Sequence, residues 1–382
     1  MRIGCVQEAW FPRGVTLAER YAQMVEEAIL AEECGFDFYC LSEQHFGFST
    51  ADLVERSDRY HAQRSGAVSA PECFLPFIAA RTEAIKLRTT SIVLLPFNHP
   101  VRVAERIATL DVLSNGRIEI GTARSNNLGT LRAFGVDPKH TKQIWRESLG
   151  LIINALVNDY FEHEGEVWSF ARTPLTPKPI QLPHPPMFVS ASSVGTHREA
   201  GELGLGAMTG SSILGWDYVA EVAAAYVNAI PDPQPLSGVV NNSLGLYATR
   251  VHCAATEEQA KDEVRDGALA FVDINIGPGG RYEQLGPTSP DYAYLQHIHS
   301  MQEHMDDLDY LMDASPYVMA GTPDFLIERI KRLERMGYTE ILLGIEGMSH
   351  EMHKSAIEMI GEYVIPEFRA SAERAPETRT AI

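Results

Sequence analysis

Three short runs in this sequence hold side chains that could do chemistry. In Ser42-Glu43-Gln44-His45-Phe46 a carboxylate stands two residues before an imidazole. Histidine can take or give a proton near neutral pH, and a neighbouring carboxylate holds its tautomer. In Gly121-Thr122-Ala123-Arg124-Ser125-Asn126-Asn127 a single arginine sits among small and polar residues. Its planar fork suits bidentate contact with an anionic group. The third run, Val189 to Thr196, offers the hydroxyls of Ser192, Ser193 and Thr196 where a helix would begin. Hydroxyls and unpaired N–H groups at a helix amino terminus suit a phosphate monoester. Each run also has an ordinary reading: a hydrogen-bonded structural histidine, a surface ion pair, an N-cap.

The elements around these runs decide whether they can meet. Short apolar strands alternate with longer amphipathic segments about eight times, the signature of βα units around a parallel sheet. Strands are expected at Ile3–Glu8, Phe38–Ser42, Leu87–Leu94, Ile118–Thr122, Met187–Ala191, Ala207–Gly210, Leu244–Val251 and Glu340–Ile345. Eight such units predict a closed (β/α)8 barrel, in which reactive groups gather at the carboxyl ends of the strands. Helix starts are marked by Thr16 with Glu19, Thr256 with Gln259, and Thr322 before Pro323. Gly35 and Gly337 are placed to end helices.

The expected organisation is one domain over residues 1–370, with a loose tail at 371–382. Insertions interrupt it at about 47–70 after strand 2, at 160–186 as a proline-rich hairpin arm, and at 277–320 after strand 7. Insertions of this length are often lids or binding loops. Tyr282, Tyr292 and Tyr294 in one, and Arg56 to Arg64 in another, would then line an entrance.

Of the 382 residues 45% are hydrophobic and 22% charged, ordinary for a chain that buries a large core. A net charge of −19, from 32 basic and 51 acidic residues, speaks against a nucleic-acid or anionic-membrane partner. No secretory signal or bilayer-length apolar run is seen, which makes the cytoplasm the expected location. Cys5, Cys34, Cys40, Cys73 and Cys253 lack a CxxC spacing and are expected to be buried thiols.

Taken in order, the motifs resemble the bacterial luciferase family, the luciferase-like monooxygenases. The likeness extends along nearly the whole chain and is strongest from Gly35 to Gly210. It rests on Glu43-Gln44-His45-Phe46, on Thr90 to Leu94 leading to His99-Pro100-Val101-Arg102, on Ser114-Asn115-Gly116-Arg117, and on Gly121 to Arg124. The resemblance implies a TIM barrel of the luciferase type. It makes His45 the active-site histidine of the flavin–oxygen chemistry, steadied by Glu43, and Arg124 the arginine that holds the FMN phosphate. Ser192, Ser193 and Thr196 align with the phosphate loop. Thr90, Ser91 and Ala123 align with residues lining the isoalloxazine, and Asn126 belongs to the same cofactor site. A non-proline cis peptide is implied at Thr90–Ser91.

The implied reaction uses reduced FMN from a separate NAD(P)H:flavin reductase, with O2 as co-substrate. It oxygenates a small organic substrate through a C4a-(hydro)peroxyflavin, in a protein that forms a homo-oligomer. Ala123 stands where luciferase has a reactive cysteine, and Gln44 replaces the first histidine of its pair. These departures, with the long segment after Gly47, point to a substrate other than that of luciferase.

Three other readings compete. A deazaflavin-dependent hydride-transfer oxidoreductase would share the barrel, but its longer anionic tail calls for more basic residues than this acidic chain supplies. A metal-dependent hydrolase is suggested by His297 with His299 and by His350-Glu351-Met352-His353. The latter is one residue short of the HExxH spacing that puts two imidazoles on one helix face. A non-enzymatic flavin-binding partner protein is the third, and the joint presence of His45 and Arg124 argues against it.

Overall fold

The eight apolar runs form the eight strands of a closed barrel. The computed structural model describes residues 1–12, 14–46, 63–64 and 68–374. Its barrel strands are β1 (Arg2–Gln7), β2 (Phe38–Ser42), β3 (Lys86–Val93), β4 (Ile118–Ala123), β5 (Met187–Ala191), β6 (Gly206–Thr209), β7 (Leu244–Ala248) and β8 (Glu340–Leu343). They neighbour one another in chain order, all in parallel, and β8 closes onto β1. Covered by helices outside and side chains within, the strands read as near-continuous apolar runs, which is why they are visible in the sequence.

Glycines make room inside the ring. A Cβ on Gly4 would lie 2.0 Å from the Phe38 ring, and one on Gly206 would lie 2.4 Å from that of Phe188. Those two rings sandwich the Arg88 guanidinium at 4.1 and 3.9 Å. Arg88 reaches Glu340 at 2.7 Å and Glu119 at 2.5 Å, and Arg2 joins both carboxylates. A buried cation persists only where it is paired in this way. All six residues sit near the amino ends of their strands, so this plug closes the bottom of the barrel and leaves the carboxyl ends open.

The seventh strand differs from expectation. It leaves the ring after Ala248, because Thr249 N and Arg250 N both donate to Tyr317 O. Arg250–Cys253 then pairs with Val318–Gly321 as a separate two-stranded sheet. Between these two strands lie the helix Glu257–Ile276 and the insertion, which is built of short helical turns. The arm before β5 is an antiparallel hairpin of Tyr160–Glu164 and Ser169–Pro174.

The helix signals act as their chemistry suggests. Thr16 and Glu19 form a reciprocal capping box, and Thr256 and Thr322 cap their helices. Gly35 and Gly337 have φ of +81° and +99°. The last helix runs Ile365–Arg374, four residues into the expected tail, and 375–382 lie outside the described residues. Cys5, Cys40 and Cys253 are buried, whereas Cys34 is half-buried and Cys73 is exposed on the outer face of Pro71–Ala79, so burial does not extend to all five thiols. Among the described residues no helix is long and apolar enough to cross a membrane.

Candidate active site

A cavity of about 1170 Å3, counting its open mouth, occupies the carboxyl ends of the strands. His45, Glu43, Thr90, Ser91, Ala123, Arg124, Asn126, Ser192, Ser193 and Thr196 all line it. They come from the ends of β2, β3, β4 and β5, four separate stretches of chain that barrel closure brings to one rim.

On the β2 side, His45 Nε2 lies 2.6 Å from Glu43 Oε1. Glu43 is itself fixed, since its Oε2 accepts from Val93 N at 2.8 Å and its Oε1 from Asn98 Nδ2 at 2.9 Å. With the carboxylate accepting on every side, the proton of the imidazole belongs on Nε2. The ring packs edge-on against Phe97 and Phe134 at 5.1 and 5.4 Å, and those two rings stack on each other at 4.0 Å. Asn98, Phe97 and Phe134 therefore position His45, and no regular spacing in the sequence announces them.

The expected cis bond at Thr90–Ser91 is absent. The cis bonds among the described residues are Thr176–Pro177 and Leu182–Pro183. A β-bulge stands in its place, with register breaks at Leu41/Ser42 against β2 and at Thr89/Ile92 against β4. A bulge re-aims side chains at the rim of a sheet. Here Thr90 O accepts from Ser190 Oγ at 2.6 Å, and the Thr90 hydroxyl meets that of Ser42.

On the β4–β5 side, Ser193 caps the helix Val194–Glu202 by accepting from Thr196 N at 3.1 Å, and the two hydroxyls lie 2.9 Å apart. The first amides of that helix have no acceptor within it. Arg124, 14% exposed, holds Asp291 of the insertion through Nη1 and Oδ2 at 2.9 Å. The next residue, Tyr292, donates to Ser125 O at 3.3 Å, so the insertion is fastened to the β4 loop at two points.

A third group stands at the end of β1 and was not singled out by the sequence. Glu8 lines the cavity and is buried, with Oε1 accepting from Gln44 Nε2 at 3.3 Å. Ala9 behind it has φ of +58°, a left-handed conformation that costs a residue with a Cβ roughly 1–2 kcal/mol. Glu346 holds this kink, its Oε1 accepting from Glu8 N at 2.9 Å and Trp10 N at 3.1 Å. Burial pushes the Glu346 carboxyl up to about 7 and raises that of Glu8, although Arg250 pulls both the other way.

Several motif residues are structural. His99 caps Pro100–Leu113, Arg102 pairs with Glu105, and Arg117 ties the Ser-Asn-Gly-Arg turn to Ala79 O and Thr82 Oγ1 at the opposite end of the barrel. His350 and His353 both bond Glu27, and His299 bonds Gln302. Tyr282, Tyr292 and Tyr294 of the insertion do reach the cavity. Arg56, Asp58 and Arg59 lie outside the described residues, and of Arg64 only the backbone is described, paired with Phe11.

Comparison with known proteins gives the relatives of the chain and of its fold. The chain is 28% identical over 335 residues to the oxygenase component of a flavin-dependent trigonelline monooxygenase from Acinetobacter baylyi, covering 85% of this chain and 88% of that one. In fold it is similar to the oxygenating constituent of 3,6-diketocamphane monooxygenase from Pseudomonas putida, solved with FMN, at a TM-score of 0.71 and 20% identity over 96% and 98% of the chains. It is also similar, at 0.68 and 18% over 96% and 99%, to a coenzyme F420 dependent tetrahydromethanopterin reductase from Methanopyrus kandleri. The profile of the luciferase-like monooxygenases matches residues 1–340, and the chain therefore belongs to that family.

Proposed function

We propose that the cavity binds reduced FMN and that the protein is the oxygenase half of a two-component monooxygenase, fed by a separate NAD(P)H:flavin reductase. The observation that carries this is the polarity of the cavity along its length. At one end a guanidinium, three hydroxyls and a helix amino terminus converge, the donor set of a phosphate monoester. At the other stands an imidazole held by a fixed carboxylate. The trigonelline relative is by name an oxygenase component, which supports a separate reductase.

Bound reduced flavin supplies the two electrons with which O2 puts one oxygen atom into the substrate and releases the other as water. The chain's own groups do the rest. Arg124 exchanges Asp291 for the phosphate and so orients the cofactor. His45 is committed to Glu43 through Nε2, which leaves Nδ1 to exchange a proton with the reacting oxygen. Phe97 and Phe134 pack edge-on against that ring and fix its orientation.

A deazaflavin reading has one observation in its favour, the fold likeness to the F420-dependent reductase. Against it, Arg124 and Arg281 are the cations among the described cavity residues, few for a longer anionic tail. Anaerobic titration with reduced FMN, followed by rapid mixing with oxygen, tests the choice. Saturable binding and a transient absorbance distinct from reduced and oxidised flavin are expected. If reduced FMN does not bind while the reduced deazaflavin does, the proposal is wrong.

A further inference from the structure

Three of the four non-glycine residues with left-handed backbone among the described residues are Ala9, Phe46 and Ser125. Each directly follows a cavity residue leaving a strand: Glu8, His45 and Arg124 in turn. Strain of this kind is kept where a side chain must be aimed. Two of those three side chains already have roles in the flavin reading, and Glu8 has none.

The surroundings of Glu8 show what it lacks. Its Oε2 is buried and makes no hydrogen bond of ordinary geometry, although the Trp10 indole and the Arg250 and Arg281 guanidiniums lie near this carboxyl, and the hydroxyl of Tyr247 from β7 is buried without a partner. Both residues line the cavity, and they are near enough for the Glu8 charge to act on the tyrosine. Burial raises the Glu8 carboxyl against the pull of Arg250 and Arg281, and it raises the Tyr247 phenol well above its usual range. A buried polar atom left unpaired is costly, so each is a place that a ligand can satisfy. One acceptor and one hydroxyl facing the same cavity are complementary to a single ligand hydroxyl that donates to the first and accepts from the second. The walls here are flat and apolar: Phe271 and Tyr317 lie 5.9 Å apart with rings tilted by 32°, and Tyr282 joins them at the cavity.

We propose that Glu8 and Tyr247 form a substrate-recognition pair for the hydroxyl of a phenolic ring, seated against Phe271, Tyr282 and Tyr317. The inference deepens the monooxygenase reading and rests on it for what becomes of the ring. A site built to bond a hydroxyl rejects the analogue that lacks it far more strongly than an apolar pocket rejects an extra methylene.

Isothermal titration with 2-naphthol and with its methyl ether, 2-methoxynaphthalene, in the presence and absence of FMN, tests the pair. The wild-type protein is expected to bind 2-naphthol at least about tenfold more tightly than the ether, the size of one or two buried hydrogen bonds. Tyr247→Phe and Glu8→Leu should each bring 2-naphthol down to the level of the ether and leave the ether unchanged. Tyr247→Phe removes only an unpaired hydroxyl, so it remains informative even if Glu8→Leu does not fold. Equal binding of the two ligands by the wild-type protein, or equal loss of both in Tyr247→Phe, would overturn the inference. FMN binding by the same samples reports separately. Retained FMN with no discrimination sinks the phenol inference alone, and discrimination without FMN binding sinks the flavin reading alone.

Discussion

Arg124 and His45 sit in one cavity but answer to different physics, and that allows binding to be separated from chemistry. Arg124 makes charge-assisted contacts, each worth roughly 1.5–3 kcal/mol. Arg124→Ala is expected to weaken reduced FMN by about 10- to 100-fold and to leave turnover at saturating flavin largely intact. Among the described residues His45 meets Glu43, Phe46, Phe97 and Phe134, none of them at the phosphate end. His45→Ala should therefore bind FMN within a few fold of wild type and lose about 10²- to 10⁴-fold in substrate oxygenation, the usual weight of a positioned proton donor or acceptor. Titration and single-turnover oxygenation on both variants check the pair of expectations. Parallel losses in the two variants would show that the division of labour is wrong.

At the scale of elements, the insertion between the helix Glu257–Ile276 and Val318–Gly321 roofs the cavity and supplies a competitor for the cofactor. Asp291 occupies the guanidinium that a phosphate needs, in a pair that is one-third exposed on the acid side. Partly exposed pairs are worth 0.2–1 kcal/mol, so Asp291→Asn is expected to tighten reduced FMN by up to about fivefold, most clearly at low ionic strength. Unchanged or weaker binding would mean that Asp291 helps hold the cofactor instead. The same element shows where reading from sequence runs out. The barrel strands announce themselves because burial on both faces makes them continuous apolar runs, and His45, Arg124 and Ser193 are legible because rim residues follow such strands directly. Glu8 follows β1 in the same way, but its role depends on Ala9 adopting a left-handed turn and on Glu346, 338 residues away, accepting two of its neighbouring amides. The exit of β7 at Thr249 is equally non-local, because Tyr317 O draws the chain out of the ring. The trans Thr90–Ser91 bond shows the reverse error, a family property carried onto a segment that achieves its aim with a bulge.

Across the whole molecule, buried charge is arranged in opposite ways at the two ends of the barrel, and this sets how stability depends on pH. At the bottom Arg88 and Arg2 hold the Glu119 carboxyl below its ordinary value against the pull of burial. At the mouth Glu346 is buried with Glu8 beside it, and burial pushes it up from 4.5 to about 7. Between those values the folded protein keeps a proton that the unfolded chain has released. Glu346 thus contributes stability that is complete below pH 4.5 and is lost as pH rises through about 7, by about 3 kcal/mol at 1.36 kcal/mol per pKa unit. Glu346→Gln has no proton to lose and still offers an amide oxygen to Glu8 N and Trp10 N. Titrating groups away from Glu346 are common to both proteins and cancel in their difference, and Glu8, which is coupled to it, titrates with it as a pair. Urea unfolding at pH 5 and pH 8 is expected to show the variant gaining on wild type by up to about 2.5 kcal/mol as pH rises, since part of the effect is already lost at pH 5. If the two stabilities run parallel, Glu346 is ionised at neutral pH in the folded protein, and the kink at Ala9 is held by a full charge rather than by a neutral acid.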